Sequence, residues 1–356
     1  MTGESTGNVL VDVGIPTYRR PDYVVQAIES VLAQSLRDWR LTISENGEGG
    51  GEIQAVVRPY LDDPRISYIA TGQVVPLQQN WNGLIRRGSA QYLALLHDDD
   101  RWHPEWLARR VTFLDEHPGC GFVFSPAAIV TRAGDPLVRL RAEFEEGLVP
   151  RDTIVRRLLL NNVVPVSSIL IRRATLDAAG AYVDERFLFC CDWELWLRLA
   201  LQGPAGFVDA SDNDYRKHEL QLTYNDYERP KQIALLFDHF DRLVKRDFPA
   251  LQLGRLERAR GRSRVLLTMA LDAFEGGGRR PALVLYAQAL GTYPPALVDS
   301  RSLALLATLP FGRRGSRALE RGRWSIHRRA IRTHLRGGMG WRTQKAAPSD
   351  SADSEN

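Results

Sequence analysis

The sequence predicts an α/β protein built on a parallel, doubly wound sheet, and three observations support this prediction. Short apolar segments alternate with longer segments of helical periodicity over the first 126 residues. The short segments are apolar at most positions, which is typical of strands covered on both faces. Three of them end in polar clusters, PTYRR, SENGEGG and HDDD, and ligands of such sheets bind at the carboxyl ends of the strands.

The first five strands and four helices alternate in order. A proline suited to the first helical turn opens the first helix, and a glycine ends the third. Apolar residues recur at helical spacing in each of the helices. We predict strands at 9–16, 40–46, 65–70, 91–97 and 121–126, with helices at 21–34, 52–61, 77–88 and 104–118.

The pattern changes after residue 130. Residues 131–165 have no clear period and are expected to run over the surface, and residues 166–187 to give a strand, a short helix and a loop. An amphipathic helix is predicted at 192–203, and helices again from about 223 to 308. The expected domains are an α/β unit over 1–225, a helical region over 226–312 and a basic tail over 313–356.

Charge and cysteine content restrict the function. Residues 313–345 carry eleven Lys/Arg and one acid, whereas the whole chain has a net charge of only +4. The body is therefore acidic, and no nucleic acid is expected as its partner. Three cysteines, two of them adjacent, indicate neither disulfides nor zinc. With no signal peptide and no membrane-spanning segment predicted, a cytoplasmic protein is expected.

Three consecutive aspartates, Asp98, Asp99 and Asp100, follow the predicted strand at 91–97. One interpretation is a solvated acidic turn. The other is a site for a hard divalent cation, Mg²⁺ or Mn²⁺, because carboxylate oxygens are its preferred ligands. Their position at a strand's carboxyl end favours the cation.

A second acidic position, Asp192, follows the apolar run FLFCC. Aspartate is a common N-cap residue, so Asp192 is either a cap or a general base kept ionised at a helix N-terminus. Glu194, two residues on, is expected to point elsewhere. His218 lies in the polar stretch YRKHELQLT and is not an obvious core histidine.

Four blocks together resemble the family 2 glycosyltransferases of GT-A fold, over roughly residues 9–225. They are PTYRRPDYVVQAIESVLAQSLRDWRLTISENG, NWNGLIRRGSAQYLALLHDDDRWHP, FLFCCDWELWLRL and YRKHELQLT. The resemblance implies a Rossmann-like, mostly parallel sheet followed here by the helical C-terminal region. It also implies single-displacement transfer of a sugar with inversion, assisted by Mn²⁺ or Mg²⁺.

The resemblance also implies roles for particular residues. Asp98 or Asp99 would contact the donor ribose, and Asp192 would be the catalytic base. The metal ligands would be Asp98, Asp100 and His218. The remaining donor-binding residues would be Pro16, Thr17, Tyr18, Glu45 and Asn80.

Some positions depart from the family pattern. Arg19 stands where an asparagine is common, Glu45 where an aspartate is usual, and His97 where the metal motif often begins with an acid. Cys191 replaces a glutamate that often precedes the base. No Q-x-x-R-W motif follows, which argues against a processive polymerase.

The expected function is transfer of a sugar from a nucleotide-diphosphate sugar to a hydroxyl of a saccharide, lipid-linked or other acceptor. Cell-surface polysaccharide, glycolipid or glycoconjugate biosynthesis is the expected setting. The alternatives are a sugar-nucleotide nucleotidyltransferase, although PTYRRPDY lacks the glycine-rich loop expected there, and a non-catalytic nucleotide-sugar-binding module. The basic tail is either a solvated helix or a peripheral contact with anionic lipid at the inner face of the membrane.

Overall fold

The structure, a computed structural model, describes residues 9–140, 144–218, 229–276, 278–312 and 315. Within these ranges the chain forms two β-sheets flanked by helices. The basic tail, apart from Gly315, lies outside the described residues, and so do the predictions made for it.

The larger sheet has eight strands in the order β3-β2-β1-β4-β10-β6-β11-β9. Strands β3, β2, β1 and β4 are mutually parallel where they pair, and β11 is parallel to β6. The predicted α/β fold class with a mostly parallel, doubly wound sheet is confirmed. The strands are β1 (Val11–Thr17), β2 (Trp39–Glu45), β3 (Ile66–Ala70), β4 (Tyr92–Leu95), β6 (Phe122–Phe124), β9 (Gly147–Val149), β10 (Leu170–Arg172) and β11 (Ala205–Phe207).

Both faces of this sheet are covered, as the apolar strands predict. In β4, Tyr92 and Ala94 belong to one hydrophobic cluster, whereas Leu93 and Leu95 belong to the other, on the opposite face. Alternate residues of a strand point to opposite faces, so a strand buried on both sides needs apolar residues at every position. The helices that surround the sheet are α1 (Pro21–Leu32), α2 (Glu52–Val57), α3 (Leu77–Arg87), α4 (Trp106–Glu116), α5 (Arg151–Leu158), α6 (Arg173–Ala178) and α7 (Cys191–Gln202).

Two features of the sheets differ from the sequence prediction. Strand β10 lies antiparallel between β4 and β6, so the sheet is mixed at its centre. The expected surface excursion over 131–165 contains strands β8 and β9 and helix α5. A short strand shows little periodicity, so its place in a sheet depends on tertiary pairing. The second sheet has the order β5-β12-β7-β8, with β5 (Arg101–Trp102), β7 (Ala128–Val130), β8 (Pro136–Arg139) and β12 (Asn213–Arg216).

The residues described after 228 form helices, and they pack on one of the two hydrophobic clusters. Phe237 and Phe240 of this region contact Trp193 of α7 edge-on, with ring centroids 5.5 and 5.8 Å away. No helix of the described residues is long and apolar enough to cross a membrane. The helices are α8 (Arg229–Asp247), α9 (Arg255–Glu275), α10 (Arg279–Thr292) and α11 (Ser300–Thr308).

Candidate active site

The site lies where the strand order of the large sheet reverses, at the carboxyl ends of β1 and β4. Strand β1 pairs with β2 on one side and with β4 on the other, all parallel. The connections that leave β1 and β4 therefore diverge and leave a crevice, the usual ligand site of such sheets. The residues that follow β1 and those that follow β4 meet in this crevice.

Asp98 is fixed by the turn that follows β1. Its Oδ2 accepts hydrogen bonds from Thr17 Oγ1 at 2.9 Å and from the backbone N–H of Tyr18 at 3.3 Å. Its Oδ1 forms an ion pair with Arg20 Nη1 at 3.0 Å. Both oxygens of Asp98 are thus directed at the first turn and not at its acidic neighbours.

Asp99 contacts two cationic or ionisable side chains. Its Oδ2 lies 2.9 Å from Arg20 Nη1 and 2.9 Å from His218 Nε2. The ring of His218 in turn packs against Tyr23 of α1, with centroids 5.0 Å apart. The late histidine and the acid run, distant in sequence, therefore meet as the family resemblance implies.

Asp100 is completely enclosed. Ser167 Oγ donates to its Oδ2 at 2.5 Å, and the backbone N–H of Arg216 donates to its Oδ1 at 3.1 Å. The side chain of Arg216 also donates to the backbone carbonyl of Asp99 at 2.9 Å. Strand β12 of the small sheet thus holds Asp99 and Asp100 in place through the backbone and side chain of Arg216.

His97 completes a potential metal site with Asp99 and Asp100. One ligand atom from each of these three residues lies within 4.8 Å of the others. His97 Nε2 is buried and has no hydrogen-bond partner among the described residues. A buried polar atom without a partner is costly, and a divalent cation would satisfy it. Imidazole and carboxylate ligands both suit Mn²⁺, so this donor set fits such a cation.

The three aspartates have different affinities for protons. Burial and the charge of Asp99 raise the pKa of Asp98, and they raise the pKa of Asp100 well above its ordinary value. Burial also opposes ionisation of Asp99, but the hydrogen bond from His218 and the charge of Arg20 outweigh it and lower the pKa. Burial lowers the pKa of His97. The neutral imidazole that a metal requires is therefore favoured.

A cleft of about 400 Å³ opens beside Asp98. Asn80 lines the cleft, where its amide exchanges hydrogen bonds with Ser44 at the end of β2. Asn46 lines it too and pairs with the backbone of Val75 through two 2.8 Å hydrogen bonds. The complete lining is Pro16, Thr17, Tyr18, Arg20, Asn46, Val75, Leu77, Asn80, His97, Asp98, Leu188 and Phe189.

Glu45 differs from the other expected donor-binding residues. It ends β2, but it is not part of the cleft lining, and its Oε2 accepts a hydrogen bond from Tyr68 of β3. Burial and this contact raise the pKa of the Tyr68 hydroxyl. The next residue, Asn46, occupies the cleft wall instead.

Asp192 comes three residues after Phe189, which lines the cleft, and is not itself one of the lining residues. Helix α7 begins at Cys191, with Cys190 as the residue before it. Asp192 is therefore the second residue of the helix. The interpretation of Asp192 as the N-cap, drawn from the sequence, is wrong. Asn162 Nδ2 donates to its Oδ2 at 2.9 Å, and the side chain is only half-buried.

Glu194 points away from Asp192, as expected. It is 1% exposed and forms an ion pair with Arg198, one turn further on, at 2.8 Å. His239 of α8 also contacts it, with Nε2 and Oε1 3.2 Å apart. Glu194 therefore joins α7 to the C-terminal helices.

Comparison with known proteins identifies the family. Residues 12–177 match the family model described as glycosyl transferase family 2. Over these residues, a little under half of its length, the chain matches the family 2 glycosyltransferases. It is a glycosyltransferase. This decides against the two alternatives, a nucleotidyltransferase and a non-catalytic module.

Sequence relatives of this glycosyltransferase match it at low identity. The putative teichuronic acid biosynthesis glycosyltransferase TuaG of Bacillus subtilis is 24% identical over 241 residues, covering 66% of this chain and 89% of TuaG. Two other relatives are matched over only 14% and 30% of their own length.

Two solved structures support the GT-A fold. S. aureus TarS 1–349 in complex with UDP-GlcNAc superposes with a TM-score of 0.59 at 15% identity, over 92% of each chain. A longer TarS chain is covered over 54% of its length. The mannosyltransferase PcManGT of Pyrobaculum calidifontis, in complex with GDP-Man and Mn²⁺, gives 0.50 at 13% identity, over 92% of this chain and 88% of that one.

Sequence reasoning missed four residues of the site, Arg20, Asn46, Ser167 and Asn162. Arg20 and Asn46 directly follow residues that were singled out, so the polar strand ends were a usable signal for both. Ser167 and Asn162 lie in segments without a motif. Only the fold brings them to Asp100 and Asp192.

Proposed function

We propose that this glycosyltransferase moves a sugar from a nucleotide-diphosphate sugar to an acceptor hydroxyl, with inversion and with a divalent cation. The observation that carries the proposal is that Asp98, the first of three consecutive buried aspartates, lines a 400 Å³ cleft at the strand-order reversal. Such a crevice suits a nucleotide. The name of TuaG supports a role in cell-surface polysaccharide biosynthesis, with glycolipid or other glycoconjugates as related products.

The donor's nucleoside would lie along the cleft wall of Thr17, Tyr18, Asn46 and Asn80. Asp98 would accept hydrogen bonds from the ribose hydroxyls, since Thr17 and the Tyr18 amide already hold its carboxylate at the cleft. This separates Asp98 from Asp99 in function. Glu45 has no place in this arrangement other than supporting β3 through Tyr68.

Asp99, Asp100 and His97 would hold the divalent cation, with His218 orienting Asp99 through the 2.9 Å contact. When bound, a divalent cation offsets the negative charge that develops on a departing nucleotide diphosphate. This ligand set differs from the Asp98, Asp100 and His218 of the sequence expectation, because among the described residues it is His97, Asp99 and Asp100 whose ligand atoms lie within 4.8 Å of one another. The presence of Mn²⁺ in PcManGT supports the choice of Mn²⁺.

Asp192 would accept the proton of the acceptor hydroxyl. Asn162 holds its carboxylate through the 2.9 Å hydrogen bond, and Asp192 lies in the first turn of α7, where a helix stabilises negative charge. A hydroxyl is a poor nucleophile and needs a base within hydrogen-bond reach. A single base on the acceptor side implies one displacement and therefore inversion at the anomeric carbon.

A two-stage experiment tests this function. Thermal shifts with nucleotide diphosphates and nucleotide sugars, each with Mn²⁺ or EDTA, identify the donor. Proton NMR of the transfer or hydrolysis product then reports the anomeric configuration. We expect one nucleotide class to stabilise the protein only with Mn²⁺, and the product anomer to be opposite to that of the donor. Equal stabilisation in EDTA contradicts the metal role, and retained configuration contradicts the single displacement.

A further inference from the structure

Arg20 occupies an unusual position between the two halves of the site. Its Nη1 atom lies 3.0 Å from Asp98 Oδ1 and 2.9 Å from Asp99 Oδ2, so one nitrogen bridges the two carboxylates. The residue also lines the cleft, and its side chain is 19% exposed. Arg20 thus contacts Asp98, which is proposed to bind the donor, and Asp99, which is proposed to bind the cation. It also lines the cleft in which the donor would lie.

The backbone brings Arg20 to this position. Arg20 is the residue before α1, whose first residue is Pro21. The preceding Arg19 has a positive φ of 55°, which turns the chain sharply after β1. The side chain of Arg20 is therefore delivered inward, over the ends of β1 and β4, whereas that of Arg19 remains exposed.

The guanidinium of Arg20 neutralises adjacent carboxylates that would otherwise repel one another. Arginine stays protonated in proteins, so this positive charge cannot be lost by titration. A Mn²⁺ or Mg²⁺ ion bound to Asp99 Oδ2, the oxygen that contacts Arg20, would lie about 2.1 Å from that oxygen. The ion and the guanidinium nitrogen would then be at most about 5 Å apart, and two cations at that distance repel each other.

The donor diphosphate would remove this conflict. Two phosphate groups bring negative charge into the cleft, and the planar guanidinium is well suited to bind their oxygens in a bidentate manner. Because Arg20 already lines the cleft, a change of side-chain rotamer is enough to exchange a carboxylate for a phosphate. A cation that binds alone therefore has to displace Arg20. When a diphosphate binds together with the cation, Arg20 instead contacts the diphosphate.

We propose that Arg20 is an internal counter-cation that couples the binding of the divalent cation to that of the donor diphosphate. Without ligands it bridges Asp98 and Asp99 and weakens binding of the cation alone. With both ligands present it contacts the diphosphate. This inference rests on the proposed donor site, but it makes a separate prediction, namely that one substitution changes the two affinities in opposite directions.

The test measures two dissociation constants for each protein variant, with no turnover required. The first is that of Mn²⁺ alone, from the electron paramagnetic resonance signal of the free ion. The second is that of UDP or GDP at saturating Mn²⁺, from calorimetry. For Arg20→Gln we expect Mn²⁺ alone to bind about tenfold more tightly and the nucleoside diphosphate about tenfold more weakly, within the usual range of coupling between sites.

Two further variants serve as controls. Arg19→Gln removes the same charge from the exposed neighbour and should leave both constants within about twofold, in the range of a surface substitution. Arg20→Lys keeps the charge but not the planar fork. It should bind Mn²⁺ alone as weakly as the wild type and the nucleoside diphosphate less tightly than the wild type. Its thermal melting also provides a folded comparison should Arg20→Gln be unstable.

Particular outcomes overturn the inference. Arg20 is not a coupling residue if Arg20→Gln binds Mn²⁺ alone no more tightly than the wild type does. The same conclusion follows if Arg20→Gln binds the nucleoside diphosphate as tightly as the wild type does. The proposed function then still stands, provided that the wild type binds a nucleoside diphosphate with Mn²⁺. If the wild type binds neither UDP nor GDP in the presence of Mn²⁺, the donor site and the Arg20 inference both fail.

Discussion

The acidic segments 98–100 and 192–194 look alike in sequence but are used differently in the structure. The three aspartates after β4 lie together in the candidate site, because the chain leaves the strand in a tight turn. On α7, residues two positions apart are separated by about 200° around the axis. Asp192 therefore stays half-buried and contacts Asn162, whereas Glu194 enters the core. The element that carries neighbouring acids thus determines whether they share a site.

The substitution Asp192→Asn should give the largest effect and test the acceptor side of this comparison. Asparagine keeps the size and the hydrogen bond with Asn162, so folding and donor binding should be unchanged. A positioned base contributes about 10²–10⁴-fold, and kcat should fall by that factor. Steady-state kinetics with the identified donor measure it. Near wild-type kcat would remove Asp192 from its proposed role.

The substitution Glu194→Gln should instead lower stability. It leaves the half-buried Arg198 guanidinium without its anionic partner, and a hydrogen bond to a charged group contributes about 1.5–3 kcal/mol. Chemical denaturation monitored by circular dichroism measures the free energy of unfolding. The kcat per folded molecule should stay near that of the wild type, and a selective loss of kcat would mean that the two acids had been assigned the wrong way round.

The substitution Asp100→Asn tests the donor side. Removing one proposed ligand should weaken Mn²⁺ binding by more than about tenfold, since even indirect partners of a metal contribute that much. The amide can still accept from the Arg216 N–H and donate to Ser167 Oγ, so the fold should survive. Calorimetric titration with Mn²⁺ measures the change. Unaltered Mn²⁺ affinity would place the cation elsewhere.

The raised pKa of Asp100 predicts how the donor side responds to pH. The proton must leave before a cation binds, so Mn²⁺ affinity of the wild type should increase as the pH rises and binding should release protons. Without a cation, the folded protein holds this proton more tightly than the unfolded chain does. The free energy of unfolding should therefore fall as the pH rises above the ordinary carboxyl range. Asp100→Asn should reduce both effects, as measured by calorimetry in two buffers and by denaturation at several pH values.

The smallest expected effect concerns the turn that holds Asp98. Arg19 has a φ of 55°, a left-handed conformation that asparagine adopts more readily than arginine does. Arg19→Asn should therefore increase the free energy of unfolding by about 0.5–1 kcal/mol. Thermal melting detects a change of that size. Lower stability would show that the side chain of Arg19, and its stacking on Tyr18, matters more than the backbone strain.

Much of this protein was determined by local sequence. The order of strands and helices up to residue 126, and the burial of both faces of the sheet, follow from hydrophobic periodicity, which every residue of a strand or helix reports. Asp98, Asp99, Asp100 and Asp192 could be found because acids at element ends stand out against apolar runs. The family pattern often has asparagine where this chain has Arg19. That preference has a local cause, because the backbone at this position is left-handed.

Tertiary structure alone determined the partners of those residues. The antiparallel insertion of β10, and the small sheet whose strand β12 supports Asp100, depend on pairing between segments far apart in the chain, which leaves little local signal. The contacts of Asp98 with Thr17, of Asp99 with His218 and of Asp192 with Asn162 span 81, 119 and 30 residues. These contacts fix the direction of each aspartate side chain, because that direction is set by what packs around it.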